Sequence, residues 1–461
     1  MIMFRQYKKR LCAVLICLLL ILAVTACTEK KEGSKAAGEN GIKVAVQEVS
    51  PSKEPYGKEE VTYPYWKGYV DDTLAMNHMY SFLGFHGQGS LRLGPSKKVT
   101  GFRLYVNEVL VDTAELTGGK KYDLDISSLT RDGENTVQIS GITPNVTDAT
   151  VTLCVPYPEV LPGTAEEEGF SAQALEMVSD LIETDVSHGF TSAQLAVIRN
   201  GRLVYENAWG KTNSYLQDGS PDTESPEVTT ETLYDLASLT KMFSVNYALQ
   251  KLVTDGKVSL DAKITDFLGK EFVKETLYVP NEKGQYPEAD LKQIKKWKKE
   301  LTIRDLLRHQ GGFPPDPKYS APFLYDDEVP EGESYPENPL FAGNTPGKET
   351  TKATVDMICR TPLWYEPGTK TVYSDLDYMI LGLVVEKTTG EKLDTWLKKT
   401  FWDPMGLTHI TYNPLRNGFS KDDCAATELN GNTRDHLLDF PGYRTYILQG
   451  EVHDEKAFYS M

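Results

Sequence analysis

At 461 residues the chain is too long for one ordinary core, so two domains plus tails are expected. Its 40% hydrophobic and 25% charged residues are those of a soluble globular protein and argue against a disordered or multi-span membrane protein. A formal net charge of −17 argues against a nucleic-acid partner, because phosphate binding needs clustered Lys and Arg.

Residues 1–27 read as a targeting segment and are set aside from fold reasoning. Arg5, Lys8, Lys9 and Arg10 form a basic start, and Leu11 to Val24 is an apolar stretch too short for a comfortable membrane span. It ends in Val24-Thr25-Ala26-Cys27, which resembles the bacterial lipobox, where cleavage leaves the Cys lipid-modified. The expectation is a protein anchored by lipid on Cys27 at the extracytoplasmic face of the cell membrane. An ordinary signal peptide is the alternative, and either way the mature protein is exported. Of six cysteines, only Cys154, Cys359 and Cys424 fall in the folded part, too sparse for a disulfide framework or a zinc site.

Residues 28–60 are rich in Lys, Glu, Gly and Ser and read as a flexible linker, spanning roughly 30 Å root-mean-square. From 61 to 160 the pattern is β. Phe102, Leu104 and Val106 alternate with polar residues, Val109 to Val111 follows an Asn107-Glu108 turn, and further strands read at Thr136 to Ile139 and Ala149 to Val155. The phrases Tyr122-Asp-Leu-Asp-Ile-Ser-Ser-Leu and Gly133-Glu-Asn-Thr-Val resemble the jelly-roll sandwiches appended to many glycoside-active enzymes. A β-sandwich follows from that resemblance, with its ligand left open.

A composition change at Pro162 to Glu168 opens a second domain, 165–461. Leu175, Val178, Leu181 and Ile182 predict an amphipathic helix. Gln194 to Ile198 and Arg202 to Ala208 predict a hairpin about Asn200-Gly201. A helix is then expected over Met242 to Val253 and another over Tyr378 to Val385. Residues 274–300 and 315–350 read as long surface insertions. The predicted class is α+β.

The chemistry sits in Leu236-Ala-Ser-Leu-Thr-Lys241. Ser238 and Lys241 are three apart and share a helix face, so an ammonium can approach the hydroxyl. A Ser hydroxyl is a weak nucleophile and needs such a neighbour. Tyr373-Ser374-Asp375 lies at the mouth of the second apolar helix, and a phenol beside a Lys can act as general base. Leu306 to Phe313 reads as a helix end with a His309-Gln-Gly-Gly turn and a structural role. His453, Asp454 and Glu455 read as a loop rather than metal ligands, and no metal or cofactor is expected.

In this order and spacing the motifs resemble the penicillin-recognising serine hydrolases of the class C β-lactamase type. Tyr234-Asp-Leu-Ala-Ser, Tyr373-Ser-Asp-Leu-Asp-Tyr-Met-Ile-Leu-Gly, Ala426-Thr-Glu-Leu-Asn-Gly-Asn-Thr-Arg and Gly450-Glu-Val-His-Asp-Glu-Lys-Ala-Phe-Tyr carry the likeness, over about 165 to 461. The resemblance implies an N-terminal jelly-roll-like sandwich followed by a β-lactamase/transpeptidase-like domain, with a central antiparallel sheet and a helical subdomain. It implies Ser238 as the acylated nucleophile, Lys241 as its activator, Tyr373 as proton shuttle and Asp375 in substrate binding. The implied substrate is a peptidoglycan peptide ending in D-Ala, or another small amide or ester, with β-lactams as acylating ligands. A non-catalytic wall-binding protein is the contrasting reading. The family carries Asn where this chain has Asp375, which cannot donate an amide N–H to a substrate. A His-x-Gly or Lys-x-Gly strand motif follows the Val452-His-Asp phrase in the family, so a C-terminally truncated domain is expected here.

Overall fold

The structure is a computed structural model describing residues 41–49, 60–64, 78–156, 160–281, 284–324, 334–433 and 442–460. Cys27 and most of the expected linker lie outside the described residues. Two compact units emerge, one running up to Gly163 and taking in Ile198–Leu203, the other made of Thr164–Val197 and Val204–Met461. Among the described residues no helix is long and apolar enough to cross a membrane.

The first unit holds β1 (Val46–Glu48), β2 (Glu60–Tyr63), β3 (Tyr80–Gly84), β4 (Ser90–Pro95), β5 (Gly101–Val106), β6 (Val109–Val111), β7 (Tyr122–Asp125), β8 (Gly133–Thr143), β9 (Val151–Cys154) and β10 (Leu161–Pro162). β1 to β9 form an antiparallel sheet ordered β1-β7-β4-β9-β2 and another ordered β3-β8-β5-β6. Alternate residues from both sheets, among them Leu91, Leu93, Leu104, Val137, Ile139 and Leu153, meet in one core. The inward period-2 pattern read from the sequence is what buries them. Sheet pairing reaches into the 28–60 stretch expected to be linker, where Val46 lies opposite Leu124. Three residues of Lys- and Glu-rich sequence carry too little periodicity to show this.

The second unit holds α1 (Ala172–Ser187), all but the tip of the hairpin β11 (Ser192–Arg199) and β12 (Arg202–Gly210), and α2 (Tyr247–Thr254). Beyond them come α3 (Ile264–Leu268), α4 (Glu271–Lys274), α5 (Leu291–Glu300), α6 (Ile303–Leu307), α7 (Lys348–Arg360), α8 (Asp375–Thr389) and α9 (Leu393–Leu397). Strands β13 (Ala426–Glu428) and β14 (Leu448–Gln449) pair antiparallel before α10 (Glu455–Ser460). The hairpin turn has Asn200 at φ 50° and Gly201 at φ 71°, the left-handed pair that a two-residue connection requires. Among the described residues the expected central antiparallel sheet amounts to this hairpin.

Helix α8 is apolar on every side, with Leu376, Ile380, Leu381, Val384 and Val385 all buried, so it runs through the helical core rather than along its surface. The two stretches expected to be surface insertions are partly core. Ile294 in α5 and Tyr319 are fully buried, and the Tyr319 hydroxyl lies 2.7 Å from Thr361 Oγ1. Their high Lys and Pro content hid a short amphipathic helix and a tightly packed loop.

Lys298 in α5 is fully buried and donates to the carbonyls of Cys359, at 2.6 Å, and Thr361, at 3.0 Å, closing the end of α7. Burial pushes its pKa down to about 7 from the ordinary 10.5. The folded state therefore holds this proton less tightly than the unfolded chain, and stability rises with pH between about 7 and 10.5. Urea melts of wild type and Lys298→Met should diverge in favour of wild type across that window, by at most about 1.4 kcal/mol per pH unit. Parallel pH curves would contradict the neutral buried amine.

Candidate active site

Ser238 does not open a regular α-helix. It sits in a 3₁₀ turn, Ala237–Leu239, followed by a π-helical turn, Lys241–Asn246, and only then by α2. Lys241 opens the π-helical turn three residues beyond Ser238 and lies beside it. Ala237 is held at φ 45°, a left-handed conformation that costs an L-residue about 1–2 kcal/mol. Asp235 Oδ1 accepts from the Ala237 N–H at 2.7 Å and ties that turn down. The result leaves Ser238 exposed at the surface with its partner beside it.

Lys241 Nζ donates to Ser238 Oγ at 3.1 Å and to Asp375 Oδ1 at 2.8 Å. It also lies 4.9 Å from the centre of the Tyr373 ring. Burial alone would lower the lysine's pKa; hydrogen bonds and charge from Asp375 and Tyr373 outweigh it and raise the pKa above its ordinary value. Lys241 is therefore a firmly held cation. Asp375 is the first residue of α8, where the helix dipole also favours a negative charge. The four residues expected in the site, Ser238, Lys241, Tyr373 and Asp375, are thus brought together.

Tyr373 is held from behind. Its ring lies 4.5 Å from that of His309, centre to centre, and His309 lies 5.2 Å from Tyr378. The Val372 N–H donates to His309 O at 2.9 Å, and the Ser374 N–H donates to His309 Nδ1 at 3.2 Å. His309 itself sits at φ 53°, with Gly311 and Gly312 next in the turn. A Cβ on Gly311 would meet Asp377 Oδ1 at 2.6 Å, and one on Gly312 would meet Tyr365 O at 2.5 Å, so both positions require glycine. The glycine turn was legible as structural, and its purpose is to seat His309 against the tyrosine.

Asp377 was missed. It is a carboxylic acid inside an apolar helix, 1% exposed, and its Oδ2 lies 3.0 Å from His309 Nδ1. Burial raises the Asp377 pKa to about 6, against the opposing pull of His309. The only signal in the sequence was an acid flanked by Leu376, Tyr378 and Ile380.

Lys456 and Asp316 were missed too. Lys456, in α10, is buried beside Asp316 Oδ1 at 2.5 Å, Asp375 Oδ2 at 3.3 Å and Asp454 Oδ2 at 3.4 Å. Burial opposes its charge, and the surrounding carboxylates outweigh that and hold its pKa well above the ordinary value. Burial also opposes the Asp316 charge, and Lys456 and Lys318 hold its carboxyl below the usual range. Asp454 accepts from the Ala457 N–H at 2.8 Å and caps α10, and His453 donates its N–H to Asp235 Oδ2 at 2.8 Å, so this segment is structural.

Residues 176–450 match the family described as "Beta-lactamase". The chain belongs to the β-lactamase family, a family of hydrolases. Among its curated relatives is an Escherichia coli (strain K12) protein described as "Putative D-alanyl-D-alanine carboxypeptidase", 42% identical over 306 residues, 66% of this chain and 62% of that one. A Salmonella schwarzengrund protein of the same description is 40% identical over 67% of this chain and 63% of its own length. The chain thus spans less than two thirds of the curated relatives it matches. The solved D-amino acid amidase from Ochrobactrum anthropi aligns over 63% of this chain and 66% of its own with 19% identity, at a TM-score of 0.40 that is too low to add to the family match.

Because the Asp377 carboxyl titrates near 6 when folded and near 3.8 when unfolded, stability contributed by the protonated acid is lost as pH rises through that interval. Asp377→Asn, which has no carboxyl to titrate, should abolish that slope and keep the pH 7 melting temperature within a few degrees, about 1 kcal/mol. Thermal melts from pH 4 to 7 check it.

Proposed function

We propose that this chain is an acyl-enzyme serine hydrolase acting on a peptide that ends in D-alanine. The observation that carries the reading is the Lys241 ammonium bridging Ser238 Oγ and the Asp375 carboxylate in a chain of the β-lactamase family. The curated relatives' description supports the peptide substrate. Attack of Ser238 Oγ on the terminal amide carbon forms the acyl-enzyme and expels D-alanine. Tyr373 takes the Oγ proton while handing its own to the leaving nitrogen, so no free base is needed. Lys241, kept cationic by Asp375, offsets the negative charge that develops between Oγ and the carbonyl oxygen. Water then releases the shortened peptide by the reverse proton path. Export and lipid attachment through Cys27 belong to the same proposal, since that face of the membrane meets wall peptides.

An esterase on the same residues is the second reading. Both carboxylate oxygens of Asp375 are engaged by lysines, which leaves no amide donor at that position to grip a peptide carbonyl.

D-alanine release from a diacetyl-L-Lys-D-Ala-D-Ala peptide should be measurable and fall at least about a thousandfold in Ser238→Ala. Hydrolysis of a nitrophenyl ester that depends on Ser238, without D-alanine release, would keep the nucleophile and reject the peptide substrate. Neither activity, in folded protein, would overturn the reading.

A further inference from the structure

We infer that Lys456 is a positioning residue for the acyl-transfer step, acting through Asp375 on Lys241. This rests on the acyl-enzyme reading above and goes beyond it. Asp375 divides its two oxygens between two ammoniums, Oδ1 to Lys241 at 2.8 Å and Oδ2 to Lys456 at 3.3 Å. Lys456 is in turn anchored by Asp316 at 2.5 Å, and Asp316 also pairs with Lys318. Charges therefore alternate along one line: Lys241, Asp375, Lys456, Asp316, Lys318. The carboxylate that touches the catalytic lysine is oriented by a cation the substrate never meets.

Burial separates this role from substrate binding. Lys456 is 5% exposed and cannot reach a peptide carboxylate. The backbone fixes the same relation. Asp375 donates its N–H to Pro315 O at 2.9 Å, and Ser374 Oγ donates to Pro314 O at 2.6 Å, so the loop that carries Asp316 is bound to the start of α8. With Lys241, Lys318 and Lys456 set against Asp316, Asp375 and Asp454, the cluster is neutral as it stands. Without Lys456 the carboxylates of Asp316, Asp375 and Asp454 lose the cation they share. Asp375 is then free to turn, and Lys241 moves with it away from Ser238.

The test is a double-mutant cycle on the rate at which a fluorescent penicillin acylates Ser238, with near-ultraviolet circular dichroism confirming each fold. Lys456→Met should slow acylation on the order of a hundredfold, as expected for a misplacement near 1 Å. In an Asp375→Asn background the same change should cost no more than about twofold, because the path through Asp375 is already gone. Lys456→Arg, which keeps the charge, should recover most of the rate. Asp316→Asn loosens the same anchor and serves where Lys456→Met does not fold; its slowing too should vanish beside Asp375→Asn. Equal slowing in both backgrounds, or no slowing by either substitution, would overturn the inference while leaving Ser238 in place. Wild type that takes no label would instead overturn the acyl-enzyme reading, and this inference with it.

Discussion

The site depends on one constraint, a lysine charge kept beside a serine hydroxyl where burial works against it. Lys241 holds its proton because Asp375 stands 2.8 Å away, and that pair can exist only if two distant segments meet at a fixed distance. One is the 3₁₀ and π-helical turn that carries Ser238 and Lys241. The other is the first turn of α8, whose largely apolar body packs in the helical core with Val245 from the π-helical turn. Packing sets the distance, and the ion pair uses it. Taking charges out of water is costly unless each finds a partner of good geometry, and here every carboxylate in the cluster faces a lysine.

Aspartate rather than asparagine at position 375 changes the electrostatics of the whole site. An amide there would leave Lys241 free to lose its proton and act as a base. A carboxylate holds the ammonium beside Ser238, next to Tyr373, whose ring is fixed by His309 and the glycine turn. The cation Lys456 stands on the far side of that carboxylate, 3.3 Å from Oδ2. The ladder of alternating charges needs several residues in register.

How much of this could be read in advance follows physical lines. The sandwich strands were legible because alternation is a local signal, and the Asn200-Gly201 hairpin because two left-handed residues need that pair. Ser238, Lys241, Tyr373 and Asp375 were legible as motifs, since each chemical group lies within a few residues of its partner or opens an apolar helix. The departure of the 237–246 segment from regular α-helix was not, because propensity does not distinguish 3₁₀, α and π turns. Lys456 and Asp316 are 140 residues apart and show their meaning only when folded. Lys298 reads as one lysine among many in Leu-Lys-Gln-Ile-Lys-Lys-Trp-Lys-Lys-Glu, and only packing reveals that it faces inward.

The central claim is that Ser238 forms a covalent acyl bond in a site whose lysine stays charged. Peptide mass spectrometry after brief exposure to benzylpenicillin tests it most directly. The account expects a single penicilloyl adduct on the peptide that contains Ser238, removed by hydroxylamine and absent from Ser238→Ala. An adduct on another residue, or none on folded protein under conditions that acylate a known penicillin-binding enzyme, would contradict it.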